Sequence, residues 1–274
     1  RGTSPGTVSR IAETTASVVV VEVAIPEDPE RCFIQTDNPT TWFVRALKVL
    51  FPRRFSGEIH PTAIIAQDVE LGKGVGVGPF SVVGRGVQIG ESTQIGSNTF
   101  INSGTVIGNN GVIQSNCTIG GDGLAVSECE DGSWLDFPNL GKVLIGDDVR
   151  IGPNCCILRG PLKDTFIGSG TRIGNQVNVA HNCKIGENCW ISAQVMLCGS
   201  VTLDRNVMVG AGACINNHVR IHTGGQIGLG AVVTKHVPAY TSVFGVPAKS
   251  ISKNTYFTNR YSNHQQSNYE AGKE

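Results

Sequence analysis

From Ile59 to Val233 an aliphatic residue returns at every sixth position. The first run is Ile59, Ile65, Leu71, Val77, Val83, Ile89, Ile95, Ile101, Ile107, Ile113 and Ile119, and a short second run is Ile145, Ile151 and Ile157. The third runs Ile167, Ile173, Val179, Ile185, Ile191, Leu197, Leu203, Val209, Ile215, Ile221, Ile227 and Val233. A six-residue period matches neither 3.6 nor 3.5, so helices and coiled coils are excluded. Each hexad reads as a short strand and a corner, with the aliphatic side chain inward. Gly often follows that residue, as in Leu71-Gly72 and Ile89-Gly90, and is expected there for its access to backbone angles closed to other residues. Four places after it stand small or β-branched residues, among them Val75, Ser81, Thr93, Thr99, Cys117, Cys183, Cys189, Val207 and Ala213, as a narrow, close-packed interior requires. Three hexads close one triangular coil, and coils stack at the parallel-strand spacing of ~4.8 Å. The fold class is all-β: a parallel β-helix of about eight to nine coils, growing by repetition.

Charge balances, with 22 Lys and Arg against 22 Asp and Glu, which gives no electrostatic footprint for nucleic acid. No apolar run reaches the ~20 residues that span a bilayer. The nine cysteines include no Cys-x-x-Cys pair. Several fall at the small interior position, so they read as free thiols filling core space in a reducing compartment, and no metal site is expected from them. The chain does not begin with Met, and a targeting segment is expected to have been removed.

Three regions are expected: residues 1–54 as a partial α/β domain and linker, 55–250 as the β-helix, and 251–274 as a polar tail. In the first, residues 1–17 read as loose, Ser17 to Val23 as a buried strand and Arg31 to Gln35 as a second strand. Asn38-Pro39 starts a helix, Asn as cap and Pro at the first helical position, followed by Trp42, Phe43, Ala46, Leu47 and Leu50 at helical spacing. Pro52-Arg53-Arg54 is the link. Two insertions break the hexads, Gly120 to Lys142 and Leu158 to Thr165. Long loops in a regular solenoid are usually functional. The last twenty or so residues, rich in Asn, Ser and Gln, read as disordered.

The repeat is structural, so the chemistry must come from few residues. His60 opens the first coil and reads as structural, His222 and His236 occupy hexad positions without polar company, and His264 is in the tail. His181 stands in a polar cluster, Asn175-Gln176-Val177-Asn178-Val179-Ala180-His181-Asn182, and His218 follows Asn216 and Asn217. His218 is two coils and one residue beyond His181, so both are placed on nearly one edge, ~10 Å apart. Gly199 is one coil beyond His181. A histidine base beside a glycine amide is what acyl transfer needs, a proton acceptor and an oxyanion donor. Imidazole ordinarily titrates near neutrality and can take the proton of an attacking amine.

Together the hexads, Asn175-Gln176-x-x-x-Ala180-His181-Asn182, Arg159-Gly160-x-Leu162-x-Asp164-Thr165 and Gly199-Ser200 resemble the UDP-3-O-acylglucosamine N-acyltransferases of lipid A synthesis, from about residue 11 to 250. The resemblance implies a left-handed coil, against the usual crossover rule, and a homotrimer with active sites between prisms. It implies transfer of a 3-hydroxyacyl chain from acyl carrier protein, where phosphopantetheine holds it, to the 2-amino group of UDP-3-O-acylglucosamine, with no cofactor or metal. His181 matches the family's general base, Gly199 its oxyanion amide and His218 its second active-site histidine. Asn175, Gln176 and Asn182 are expected at the substrate, and Val232 and Thr234 match methionines that line the acyl tunnel.

Departures accompany the match. The N-terminal domain is about half the family's length, its Asp-Arg-Gly reads Leu158-Arg159-Gly160, and its Asp-Gly-Phe-Gly-Tyr loop reads Asp122-Gly123-Leu124-Ala125-Val126. These features are similar to the plant form of the family, which implies a mitochondrial location; a bacterial form would be cytoplasmic. Two alternatives stand beside the enzyme. One is a non-catalytic assembly module that keeps the prism. The other is a γ-type carbonic anhydrase-like protein using His181, His218 and His222, although those spacings put the residues in the wrong hexad slots.

Overall fold

A computed structural model of the chain describes residues 13–22, 31–52 and 57–253, the last three of these by backbone alone. The expectations for residues 1–12, for Arg53 and Arg54, and for His264 and the tail after residue 253 lie outside the described residues. The chain divides into two compact units, Arg1–Phe55 and Ser56–Glu274.

In the first unit, strand β1 (Val18–Val21) pairs in parallel with β2 (Cys32–Gln35), and helix α1 covers Pro39–Leu50. The helix starts as its sequence dictates. The Asn38 side chain accepts the Thr41 N–H at 3.0 Å, and Pro39 occupies the first turn, where its missing N–H costs nothing. The strand expected to be buried is not: Val21 is buried, but Val18 is 53% exposed. Two strands and a helix with no buried residue make too little of a second layer to cover four valines.

The second unit is the left-handed parallel β-helix. Face one carries nine strands, from Ile64–Ile65 to Val232–Val233. Face two carries eight, from Glu70–Leu71 to Arg220–Ile221. Face three carries ten, from Gly76–Val77 to an antiparallel last strand, Lys249–Lys253. These totals agree with eight to nine coils. The last strand crosses the boundary drawn at residue 250, because backbone pairing with Thr241–Phe244 leaves no trace in a polar stretch. The hexad aliphatics stack in register, as in Ile157, Val179, Leu197, Ile215 and Val233 on face one, and all five are at most 2% exposed. Backbone bonds of 2.7–3.1 Å join successive coils, for example Ala180 N–H to Leu197 O and Cys198 N–H to Ile215 O.

Two expectations about the hexad are corrected. First, the residue forced into the left-handed region is the third after the aliphatic one. It is most often Asn, as at Asn98, Asn110, Asn116, Asn154, Asn182, Asn188 and Asn206, or Gly, as at Gly74, Gly86 and Gly104, all with φ between 54° and 74°, while Phe80, Ser92, Asp148, Gln176, Gln194, Ser200 and His218 take the same conformation. Asn and Gly visit that region at least cost. The glycine directly after the aliphatic residue serves a different need. A Cβ on Gly72 would lie 2.6 Å from the Glu91 nitrogen, and one on Gly174 would lie 2.7 Å from the Ala193 nitrogen. That corner is where the next coil's backbone comes closest. Second, the small interior residue does more than save volume. Ser81 Oγ donates to Gly96 O at 2.7 Å, Thr93 Oγ1 to Gly108 O at 2.8 Å, and Cys183 Sγ to Cys198 O at 3.2 Å. A hydroxyl or thiol here satisfies a corner carbonyl that the strand ladder leaves over. Cys117, Cys155, Cys183 and Cys189 are buried as small core groups, while the other five cysteines are at least partly accessible.

These observations predict two outcomes. Gly174→Ala must push a coil's backbone aside and should cost about 1–3 kcal/mol, the range for overpacking. Gly86→Asn, at φ 63° with nothing within 4 Å of the added Cβ, should be nearly neutral; denaturant midpoints of the two variants check the contrast. Burial pushes the Cys183 thiol up to about 12 and the Cys189 thiol up to about 11, from 9.0. The folded chain therefore keeps protons that the unfolded chain releases. Stability should hold below pH 9 and fall from pH 9 towards 12, and Cys183→Ala/Cys189→Ala should flatten that decline in melting curves.

Candidate active site at one corner of the prism

The corner after each face-one strand turns the chain onto face two, and there the stacking puts His181 directly against Gly199, one coil on. A Cβ added to Gly199 would lie 2.6 Å from His181 Cε1 and 2.8 Å from Nε2. On the other side, a Cβ on Gly123 would lie 2.7 Å from His181 Cβ and 3.2 Å from Cδ2. The half-buried imidazole is thus bracketed by two glycines, and side chains at either position would displace it. Ser200 N–H bonds His181 O at 2.9 Å and His218 N–H bonds Gly199 O at 3.0 Å, which locks the three corners together.

The Gly199 N–H is one of the corner amides that the strand ladder leaves over. At some corners the equivalent N–H is taken by the side chain one coil on: Glu91 N–H by Asn109 Oδ1 at 2.8 Å, Ser97 N–H by Ser115 Oγ at 3.2 Å, Asn109 N–H by Asp147 Oδ1 at 2.6 Å. Among the described residues nothing accepts the Gly199 N–H. It stands beside the Nε2 end of His181, free to donate to a developing oxyanion.

Asn182 Nδ2 is 3.2 Å from His181 Nδ1, and Asn182 Oδ1 is buried with no partner. Turned over, the amide would set Oδ1 on Nδ1–H, satisfy that orphaned oxygen and leave the Nε2 lone pair facing Gly199. The two senses of this amide correspond to the two imidazole tautomers.

Both insertions converge here. The strand Thr118–Asp122 continues the first insertion's start onto face one, paired with Cys156–Arg159 across a bulge. After it comes an exposed antiparallel hairpin, Val126–Glu128 with Trp134–Asp136. Asn139 Nδ2 then donates to Gly123 O at 3.0 Å, and Lys142 N–H donates to Asp164 Oδ1 at 2.7 Å. Arg159 fixes the entry, donating from Nε to Gly120 O at 2.6 Å and from Nη2 to Ser103 O at 2.8 Å. The second insertion is thus the clamp that holds the first against His181.

The other expected site residues distribute as follows. His218 occupies the left-handed position of its corner, φ 60°, with its side chain exposed. Strict stacking places Asn217 in the column of His181 and Gly199, and its Oδ1 lies 3.3 Å from a Cβ on Gly199. Asn175 and Gln176 belong to the preceding corner, across the width of face one, where Gln194 Nε2 donates to Gln176 Oε1 at 3.0 Å. Val232 points outward on face one in a column with Asn178, Met196 and Cys214. Thr234 is exposed at the same edge as His181, three coils on.

His222 and His236 have polar company after all. His222 Nδ1 is 3.2 Å from Asp204 Oδ2, and His236 Nδ1 accepts the Arg220 N–H at 2.9 Å. Neighbours 16 to 18 residues away are not evident from the local sequence. His222 also lies at the far edge of face two from His181, so the three histidines do not converge. Among the described residues no group of three His, Cys, Asp or Glu side chains is placed to hold a metal, and no helix is long and apolar enough to cross a membrane.

Known proteins share this architecture. The bacterial transferase hexapeptide (six repeats) family matches residues 86–121, 164–199 and 182–217. Those stretches carry the same six-residue repeat. UDP-3-O-acylglucosamine N-acyltransferase of Methylobacterium nodulans is 42% identical over 120 residues, 44% of this chain and 34% of that protein. The protein of the same name from Leptospira biflexa serovar Patoc is 52% identical over 73 residues, 27% of this chain and 21% of that protein. The crystal structure of UDP-N-acetylglucosamine O-acyltransferase from Moraxella catarrhalis RH4 superposes with a TM-score of 0.68 at 28% identity, covering 74% of this chain and 77% of that one. The resemblance read from the motifs is therefore borne out, and the match spans about a third of the length of the first of these curated relatives.

One substitution tests the corner. Gly199→Ala should leave the fold intact, because the clash falls on a side chain, and should displace the ring by about an ångström. Misplacement on that scale costs roughly 10²-fold in turnover; steady-state kinetics beside a melting curve reads both.

Proposed function

We propose that the chain is an acyltransferase moving a 3-hydroxyacyl group from acyl carrier protein to the 2-amino group of UDP-3-O-acylglucosamine, in lipid A synthesis. The observation that carries this reading is the packing of His181 against Gly199, whose N–H has no acceptor among the described residues, in a chain with relatives of that name. His181 Nε2 takes the proton of the attacking amine, and Asn182 Oδ1 holds Nδ1–H in the tautomer this needs. Nitrogen attacks the thioester carbonyl, and the tetrahedral oxyanion is met by Gly199 N–H, a donor with no side-chain freedom to lose. Collapse expels the carrier's thiolate, which the imidazolium reprotonates. Asn217 and His218 border the donor and contact the acceptor or the carrier arm. The acyl chain lies along Met196, Cys214 and Val232 towards Thr234. The active unit is a homotrimer, each site completed by a neighbouring prism. A plant-type chain would work in the mitochondrion.

The second reading is transfer to oxygen, favoured by the superposition on UDP-N-acetylglucosamine O-acyltransferase. Assaying amine and hydroxyl acceptors with one carrier-bound donor separates the two. No product from either leaves a non-catalytic module.

His181→Ala should lower kcat roughly 10²–10⁴-fold, the usual contribution of a positioned base, with an unchanged melting curve; near-normal turnover removes this chemistry. Val232→Met or Thr234→Met should shorten the preferred acyl chain, because each buried methylene is worth ~0.8 kcal/mol. A chain-length profile identical to the parent's places the acyl group elsewhere. Sedimentation should show a trimer, and a stable monomer overturns the shared site.

A further inference from the structure

Face two carries a groove of about 490 Å³ that runs from its strands to the corner opposite the one that holds His181. Along it Lys184, Thr202 and Arg220 stand in register on successive strands, so two cations flank a hydroxyl over ~10 Å. Arg205 lines the far side, with Glu187 and Asp204 as the carboxylates of the groove. Asp204 is engaged: its Oδ1 accepts from Arg220 Nη2 at 2.9 Å and Nε at 3.1 Å, and its Oδ2 lies 3.2 Å from His222 Nδ1. That carboxylate fixes the guanidinium fork and leaves Nη1 without a partner among the described residues. The Lys184 ammonium and the Arg205 guanidinium likewise have no hydrogen-bond or ion-pair partner there, so the groove holds more unpaired positive charge than negative.

We infer that this groove is an anion subsite for a phosphate ester or diphosphate of the substrate that reacts at His181, an inference that rests on the function proposed above. A carboxylate would meet one cation of the ladder. A phosphodiester or diphosphate, with several tetrahedral oxygens, spans the ammonium, the hydroxyl and the free Nη1 of the guanidinium at once. Lys184, on the side of the groove nearer His181, is three residues past it, ~10 Å along the chain, a distance that an extended substrate anchored in the groove crosses to bring its reactive end to the corner. Two substrates supply such a group: the nucleoside diphosphate of the acceptor and the phosphate of the donor's arm.

The test is calorimetric titration of the full chain, at low and moderate salt, with UDP, inorganic pyrophosphate and 4′-phosphopantetheine. Lys184→Ala, Arg205→Ala and Arg220→Lys are compared with Arg85→Ala, a cation outside the groove, and melting curves confirm the fold. At least one probe should bind, weaken with salt, and lose tenfold or more in affinity in Lys184→Ala and Arg220→Lys but not in Arg85→Ala. Loss confined to UDP assigns the acceptor; loss confined to phosphopantetheine assigns the donor arm. Equal affinity in all variants, or no binding of any probe by the parent chain, overturns the subsite. Kinetics keeps the two readings apart. Transfer with an unchanged KM in the groove variants sinks the subsite alone. Groove-dependent binding without transfer sinks the proposed reaction and leaves the subsite standing.

Discussion

Everything in the second unit depends on the hydrogen-bonded ladder between coils. Backbone bonds of 2.7–3.1 Å tie each strand to the one below, which fixes the rise per coil near the parallel-strand value. Once that rise is fixed, the space left at each position is fixed as well. The interior admits one aliphatic side chain per strand and one small residue per corner. The corner glycine is demanded by the next coil's backbone, as the 2.6 Å approach at Gly72 shows. The bend itself falls two residues later, most often on Asn or Gly. One constraint thus produces three residue preferences at three places in the hexad, for three separate physical reasons.

The same ladder builds the site. Neighbours in space are residues 18 apart, so a histidine and a glycine far apart in local sequence meet face to face. The insertions use the prism differently. They leave it at neighbouring strands on face one, bind each other through Leu140, Gly141 and Lys142 against Pro161, Gly160 and Asp164, and return Gly123 to the far side of the imidazole. His181 is therefore positioned by the rigid ladder above and by a braced loop below, the arrangement that precise catalytic geometry calls for.

The fold was legible because the hexad is a period, and a period survives substitution. The site was legible where it obeys the same period. Gly199 is one coil from His181 and meets it; Asn217, two coils on, shares that column, although His218 beside it is the more conspicuous residue in the sequence. Gly123 could not be counted to, since the insertion breaks the phase, and only the paired strands Thr118–Asp122 and Cys156–Arg159 carry the register across it. Asn175 and Gln176 read as one cluster with His181 in the linear sequence, yet they sit in the preceding corner and the width of face one stands between them, since six residues here carry the chain from one corner to the next. The reason for the glycine was misread for a similar cause: a backbone angle is a local property, whereas the clash it avoids belongs to the next coil.

Why the chemistry should sit at a corner follows from the same accounting. Along the faces, N–H and C=O groups are committed to the ladder and cannot serve a substrate. At corners the chain turns, and an amide falls free unless the side chain one coil on captures it, as Asn109 captures the Glu91 amide. Placing glycine at position 199 creates the vacancy for the ring of His181, and Asn217 does not close it with a hydrogen bond. The corner also joins two faces of unlike character. Met196, Cys214 and Val232 run down face one, while Lys184, Thr202 and Arg220 run down face two. In the proposed reaction, an amphiphile that bends at its reacting group would lay its apolar arm on the first and its anionic arm on the second, with the reacting atoms at the junction, where His181 and the free amide meet.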